Sequence, residues 1–526
     1  MSKRPYSTSL MLLTSAKIII NIEYTMSKKL YYSTCAILTP NIGITIDDIL
    51  SVKGEQDEVY WCYCHKALSA CQGNLNGCPS ICNFCHSMYK RYAKKYGKGV
   101  HMISIDKKDF VHESHFWHFE NVDQVKAIKY RGVYIGYGIL SLYLSYTRDL
   151  DIKNLEGFVK YFTPIIGELC DYVDYVYDLL GRIKPDEIIS FNGRLFDNRL
   201  FYDIANALGI KYTALEVVFS NGERGKPLKR VRFEGGLPHS IKLNTQMMND
   251  LWEHSPLSEK EKTDIATSFY VKRRGGKYDL DKVYISDQKQ GVLPEGFDPN
   301  QRNIAIFNSS EDEFTAIGGE WEETIFSSQY EAVDYILQHS SPDIHYYLRI
   351  HPHLKGVKYQ AHMELYTLSK YKNLTIIPPE SEVSTYDLMD ACEKVVTFGS
   401  TMGVESAFWG KPSILLRRSM YENLDICYQA SRKEEVMPLL EAQLDPKPQL
   451  GALKFAYYIL DREYGIEKSN IAIDIEEKTF LGRTFQFTPY FKIWGSQLFY
   501  QIAYFYHCIL MPRYNKGVLR FPDKCI

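Results

Sequence analysis

No run of eighteen apolar residues occurs in the chain, so the sequence predicts no membrane-spanning helix. Charge of one sign is also lacking. The 62 Lys and Arg stand against 64 Asp and Glu, a net charge of −2, and no global basic footprint for nucleic acid results. The densest basic run, Lys272-Arg273-Arg274, reads as the solvated end of a helix. There is no internal repeat and no low-complexity segment. No secretory leader is expected either. Residues 1–25 start basic and turn apolar, but Lys17 breaks the apolar stretch and no small-x-small cleavage site follows. A second start-like string, Met26-Ser-Lys-Lys, precedes the first strand pattern, so residues 1–25 are expected to be a dispensable extension.

The 526 residues are too many for one core and imply two domains with connecting segments. Hydrophobic residues at 45% and charged residues at 24% match an ordinary globular composition. Between 301 and 416, β-branched apolar runs alternate with helix-period segments. Strands are expected at 303–307, 345–350, 374–377, 394–398 and 413–416. Helices are expected after Ser328/Glu331, over 358–371, after Ser384/Asp387 and over 403–409. Such alternation implies a parallel sheet covered on both faces. The first half repeats the habit less regularly, with strands at 30–38, 58–63, 100–104, 187–191 and 212–215, and helices over 173–183 and 199–208. A further helix starts at the Ser258/Glu261 capping box. The 22 residues from Tyr490 to Met511 are aromatic and apolar, with Lys492 inside and Arg513 and Lys516 behind. They read either as an interfacial helix resting on a membrane or as a buried C-terminal helix packing on the first domain.

In open α/β sheets, ligands bind at the carboxyl ends of the strands, and the unusual residues collect there. The four loops carry Asn308-Ser309-Ser310-Glu311-Asp312, Arg349-Ile350-His351-Pro352-His353, Pro378-Pro379-Glu380-Ser381 and Gly399-Ser400-Thr401-Met402-Gly403. Ser400 and Thr401 at a helix start offer hydroxyls and free amides to phosphate. Ser309 and Ser310 can do the same. His351 can donate to a phosphate oxygen from a backbone that Pro352 stiffens, and Arg349 supplies charge. Glu405, one turn into the helix, is placed to accept ribose hydroxyls. Each feature alone also has a plain reading: an N-cap, or an Arg paired with a carboxylate. In the first half, Gly193 permits a tight turn after a strand, and Asn192 and Arg194 are placed for acceptor binding or for stabilising developing charge. Glu216 is the candidate general base, or else a structural ion-pair partner.

The string Gly399 to Pro412, with Arg349-Ile350-His351-Pro352, resembles the donor domain of GT-B glycosyltransferases, and more narrowly the enzymes of capsule and lipopolysaccharide assembly. Bacterial sialyltransferases and Kdo transferases carry a His-Pro motif and a later Ser-Ser/Thr motif that hold the phosphate of a CMP-sugar, and His351-Pro352 and Ser400-Thr401 match them. Residues 188–440 resemble capsule-type polysaccharide biosynthesis proteins through Phe191-Asn192-Gly193-Arg194, Ser309-Ser310-x-Asp312-Glu313 and Ser381-x-x-Ser384-Thr385-Tyr386. The resemblance implies an α/β fold of two Rossmann-like domains facing a central cleft. An acceptor domain would span 26–215 and contain the cysteines, 216–300 would connect, 301–440 would bind the nucleotide sugar, and 441–526 would supply C-terminal helices. It implies sugar transfer to a cell-surface polysaccharide or lipid-linked glycan, in the cytoplasm or at the inner membrane face, with no nucleic acid partner. The donor implied is a nucleotide sugar such as a CMP-linked ulosonic acid. No Asp-x-Asp stands at a suitable loop, so no obligatory catalytic metal is expected. Three readings compete: a UDP-sugar epimerase of the same fold, a polyol-phosphate transferase of the teichoic-acid type, and a non-catalytic partner in capsule assembly or export.

Six of the twelve cysteines lie between 62 and 85, flanked by His65 and His86. Cys64, Cys71, Cys82 and Cys85 supply four soft ligands with one tight pair, consistent with a structural Zn site or an iron–sulfur cluster. Unmetallated thiols are the other reading, since a reducing compartment disfavours disulfides.

Overall fold

The computed structural model describes residues 26–36, 39–53, 57–77, 79–111, 117–218, 229–276, 285, 287–322, 324–460, 477–480 and 483–486. Residues 1–25, Cys78 and the aromatic stretch 490–511 lie outside them. The strands of the N-terminal lobe are β1 (Ser27–Ser33), β2 (Asp57–Cys64), β3 (His101–Ile105), β4 (Glu187–Phe191), β5 (Lys211–Val218) and β6 (Lys229–Glu234). They form one sheet in the order β3-β2-β1-β4-β5-β6. All neighbours are parallel except β5 and β6, which pair antiparallel. Six helices belong to this lobe: α1 (Thr39–Val52), α2 (Pro79–Tyr96), α3 (Val122–Lys126), α4 (Ile135–Thr147), α5 (Leu155–Ile183) and α6 (Asn198–Leu208).

Two helices follow, α7 (Ile241–His254) and α8 (Glu259–Arg274). The C-terminal lobe then has β7 (Arg302–Phe307), β8 (Ile344–Arg349), β9 (Leu374–Ile377), β10 (Lys394–Thr397), β11 (Ser413–Leu415) and β12 (Tyr428–Gln429), in the order β12-β11-β10-β7-β8-β9 and parallel throughout. Its helices are α9 (Gln329–His339), α10 (Gln360–Thr367), α11 (Thr385–Ala391), α12 (Met402–Phe408), α13 (Val436–Glu441) and α14 (Leu450–Leu460). A separate hairpin pairs β13 (Glu477–Phe480) with β14 (Arg483–Gln486). The chain is therefore α/β, with two doubly covered Rossmann-like sheets. No helix among the described residues is long and apolar enough to cross a membrane.

Strand periodicity explains why both faces are covered. Successive strand residues point to opposite sides. Tyr32 packs with Ile188 against α4, α5 and α6, while the adjacent Tyr31 packs with Trp61 and Ile189 against α1 and α2. Likewise Ile304 and Ile306 face α9 and α13, while Ala305 and Phe307 face α11. A strand buried on both faces loses polar–apolar alternation and reads as a plain apolar run.

The segment read as a connector contributes more than a link. β6 closes the first sheet as an antiparallel edge, held there by Arg230 on Asp48 at 2.7 Å and Arg232 on Glu187 at 3.0 Å. α7 and α8 pack with α12 and α14 in a core built from Trp252, Phe269, Tyr270, Phe408 and Phe455. Consequently α14 packs on α7, α8 and α12, beside the second sheet. The Ser258/Glu261 capping box forms as read. At α9 the box is incomplete, because Glu331 accepts the Ser327 amide at 2.7 Å instead of the Ser328 amide.

Loops at the carboxyl edge of the second sheet meet the first lobe. Arg199 of α6 donates to Ile317 O at 2.9 Å, and Trp321 Nε1 donates to His239 O at 2.7 Å. Arg148, just after α4, reaches His353 and Asp312. Two sheets whose ligand-bearing edges meet loops of the partner lobe place any site between or beside those edges.

Candidate functional site

One pocket at the carboxyl edge of the second sheet is lined by Asn308, Arg349, His351, Pro352, Tyr386, Ser400, Thr401 and Glu405, joined by Arg273 and Gln288. It leaves about 510 Å³ unfilled by protein, part of it open to solvent. Six of the eight residues expected to bind the nucleotide share it. Ser309 and Ser310 do not. Ser309 donates its hydroxyl to Phe398 O at 2.8 Å and its amide to Gln329, and Ser310 bonds Asp312 at 2.5 Å. Both hydroxyls serve the loop after β7.

Arg349 ends β8 and is only 2% exposed. Its two terminal nitrogens donate to Pro378 O at 3.1 Å and Ser381 O at 3.2 Å. Its Nε is buried with no partner among the described residues, and no carboxylate there pairs with it. Burial pulls its pKa down to about 10, which Glu380 offsets in part, so the guanidinium is still charged at neutral pH. A buried cation that lacks its anion is expensive to leave so.

His351 is aimed by its neighbours. Its amide donates to Asn308 Oδ1 at 2.6 Å, and its Nδ1 accepts the His353 amide at 3.2 Å. With Nδ1 accepting, the neutral ring carries its proton on Nε2, the donor a phosphate oxygen needs.

Glu405 stands differently from the ribose role expected of it. It is 1% exposed, and both carboxylate oxygens are engaged: Arg273 Nε donates to one at 3.1 Å and the Tyr386 hydroxyl to the other. Burial, then the Glu405 charge, drives the Tyr386 phenol far above its usual range, so it stays a donor. Arg273 also donates to Thr401 Oγ1 at 3.3 Å. Arg273, read from sequence as the end of a solvated helix, is thus a buried pocket residue. The signal was its position one turn after Phe269 and Tyr270, on the apolar side of α8.

The helix-start amides are also partly spent. α12 has seven residues, and the Met402 and Gly403 amides bond Ser400 Oγ and Ser400 O at 3.3 and 3.0 Å. Gly399 is needed where it stands. It has φ +93°, and a Cβ there would lie 2.8 Å from Arg418 O. Charge in this pocket comes from side chains, with little left for the helix end to add.

In the first lobe, Asn192, Arg194 and Glu216 come together at the ends of β4 and β5. Asn192 Nδ2 donates to Glu216 Oε2 at 2.7 Å, the Val217 amide donates to Oε1 at 3.0 Å, and the Arg194 amide donates to Asn192 Oδ1 at 3.2 Å. Asn192 and Gly193 both adopt positive φ, and a Cβ on Gly193 would meet the Tyr212 hydroxyl at 2.4 Å. The turn therefore fixes a half-buried carboxylate with two donors.

The cysteines depart from expectation. Among the described residues no group of three or more His, Cys, Asp or Glu is arranged to hold a metal ion. The expected four-ligand site at Cys64, Cys71, Cys82 and Cys85 is therefore not seen there. A fifth thiol, Cys35 from the loop after β1, joins the group within hydrogen-bonding reach of Cys71 and Cys85. His65 and His86 stack on each other at 3.7 Å between ring centres.

No family model matches the chain, and no curated protein matches it. Solved structures do. A Thermosulfurimonas dismutans KpsC, a beta Kdo 2,4 transferase, is 18% identical with a TM-score of 0.34, over 52% of this chain and 79% of that one. The UDP-GlcNAc 2-epimerase from Neisseria meningitidis bound to UDP-GlcNAc is 10% identical with a TM-score of 0.26, over 83% of this chain and 99% of that one. The glycosyltransferase SnogD from Streptomyces nogalater is 12% identical with a TM-score of 0.19, over 83% of this chain and 94% of that one.

Proposed function

We propose that the chain is a nucleotide-sugar-dependent glycosyltransferase whose donor phosphate binds beside Arg349. The observation that carries this reading is the buried Arg349 guanidinium, without a carboxylate partner and with a buried, unsatisfied Nε, in a pocket shared with His351, Ser400 and Thr401. A phosphate would supply the missing anion, His351 would donate from Nε2, and both would stabilise the leaving nucleotide without a catalytic metal. The His-Pro and Ser-Thr pair favours a CMP-linked ulosonic acid as donor. The acceptor would be a cell-surface polysaccharide or lipid-linked glycan, met at the inner face of the plasma membrane. Glu216, held by Asn192, would take the acceptor hydroxyl proton, with Arg194 beside it.

The test is thermal denaturation with CMP, CDP, UDP, UMP, GDP and ADP, on the native chain and on His351→Ala. A ligand at a hundredfold excess over its Kd adds about 2.7 kcal/mol to stability. A rise with CMP that the variant loses is the expected result. A response confined to UDP or GDP discards the CMP donor, and turnover of a UDP-sugar without acceptor replaces transfer by epimerisation. No response to any nucleotide overturns the reading and favours a non-catalytic assembly partner.

A further inference from the structure

Five cysteines from four separate stretches of chain meet at the carboxyl edge of the first sheet. Cys35 follows β1, Cys64 ends β2, Cys71 lies in the next loop, and Cys82 and Cys85 sit in α2. None of the five is in a disulfide. Cys35 lies within hydrogen-bonding reach of both Cys71 and Cys85. Cys85 Sγ also accepts the Ala36 amide at 3.3 Å, which sets this sulfur against the backbone next to Cys35. Cys82 lies beside this group and accepts the Asn74 side-chain amide at 3.2 Å.

The loop that delivers Cys71 and Asn74 is fastened at several points. Glu168 accepts the Ser69 amide at 2.7 Å and the Ser69 hydroxyl, while the Tyr146 and Tyr161 hydroxyls donate to Gln72 O and Leu75 O. Cys71 and Asn74 exchange backbone hydrogen bonds at 3.2 and 2.9 Å. Gly77, at φ +60°, brings the chain so near Ser69 O that a Cβ would lie 2.4 Å from it. Irregular backbone held by this many side chains fixes thiol positions closely.

We propose that Cys35, Cys85 and Cys71 form a reversible dithiol–disulfide site, with Cys35–Cys85 as its oxidised form and Cys71 as the alternative partner of Cys35. The oxidant is a low-molecular-weight disulfide, RSSR. Cys82 is the entry point, being partly exposed and favoured as thiolate by the Asn74 hydrogen bond and the nearby Lys66, although burial still raises its pKa. The neighbouring Cys35, and then burial, push the Cys71 and Cys85 thiols well above their usual range, and burial holds Cys64 up at about 12, so these thiols react by exchange from a neighbour. Cys82 attacks RSSR and releases one RSH. Cys35 attacks the Cys82 sulfur of the mixed disulfide and releases the second RSH. Cys85 then attacks the Cys35 sulfur and returns Cys82 to the thiol. Two protein thiols and one RSSR thus yield one protein disulfide and two RSH. The new bond ties α2 to the end of β1, next to Thr34, whose hydroxyl donates at 3.0 Å to Asp197 just before α6. Oxidation therefore stiffens the edge of the sheet that also carries Asn192 and Arg194. The proposal does not depend on the donor pocket.

The experiment uses the full chain, purified reduced and exposed to oxidised glutathione. Free thiols are then alkylated and peptides are mapped without reduction. A Cys35–Cys85 linked peptide that dithiothreitol removes is the expected result, needing no variant. In Cys85→Ser the link moves to Cys35–Cys71, and in Cys82→Ser it forms about tenfold more slowly. Cys35 remaining alkylatable throughout overturns the proposal. So does stoichiometric zinc or iron on the freshly purified chain that shields these cysteines from alkylation. An unchanged rate in Cys82→Ser overturns the entry role.

Discussion

Glu405 and Arg349 lie in one pocket with opposite needs. Glu405 has two buried donors on its carboxylate, whereas Arg349 has a buried positive charge with no acid against it. Changing Glu405 to Gln leaves Arg273 buried without its counter-charge, and breaking such a pair costs about 3–5 kcal/mol. Urea unfolding without nucleotide is expected to show that loss. His351→Ala removes one side-chain acceptor from the His353 amide, worth about 1 kcal/mol, so its unliganded midpoint is expected to stay near that of the native chain. A Glu405→Gln variant as stable as the native chain, yet insensitive to nucleotide, would return Glu405 to the ribose role. The residue types in this pocket were legible because hydroxyls, His and Arg at successive strand ends are chemically unusual. Their state of engagement was not legible, because Ser309, Glu405 and Arg273 each find a partner more than eighteen residues away or on another element.

Elements position these groups through very short approaches. Gly403, in the first turn of α12, sits where a Cβ would lie 2.4 Å from the Tyr421 hydroxyl and 2.8 Å from Thr397 Oγ1. That same hydroxyl donates to Ser400 O at 2.6 Å. Gly403→Ala must push α12 or Tyr421 aside, at about 1–3 kcal/mol for an overpacked site. It is expected to shift Ser400 and to weaken the nucleotide-induced rise in melting temperature beyond the stability loss itself. A variant with native nucleotide response would show that Ser400 is not held through Tyr421. Five strands of the second sheet, β7 to β11, were legible as apolar β-branched runs and α8 as a capping box, whereas the two-residue β12 was not read. In the first lobe α1, α2, α3 and α4 were missed. α4 is buried along nearly its whole length, so its sequence carries little amphipathic contrast.

At the scale of the molecule, Arg148 joins the two lobes by reaching from the end of α4 to His353 and Asp312. Lys153 donates to Lys358 O at 3.1 Å and Asp151 accepts the Ala361 amide at 3.3 Å close by. Arg148→Ala is expected to cost roughly 1–2 kcal/mol and to broaden the unfolding transition, because lobes that lose a shared contact unfold less as one unit. Calorimetry on the native chain and the variant reads this directly, and an unchanged, equally sharp transition would show that Arg148 does not couple the lobes. What the sequence determined by itself was the α/β alternation, the strand-end chemistry and the crowding of thiols, since periodicity and residue type are local. Only the tertiary structure decided that β6 closes the first sheet, that Cys35 joins the thiols, that Ser309 and Glu405 are already spoken for, and that Arg349 is left without an acid. Each of these depends on which distant group arrives as partner, and that is set by packing between elements.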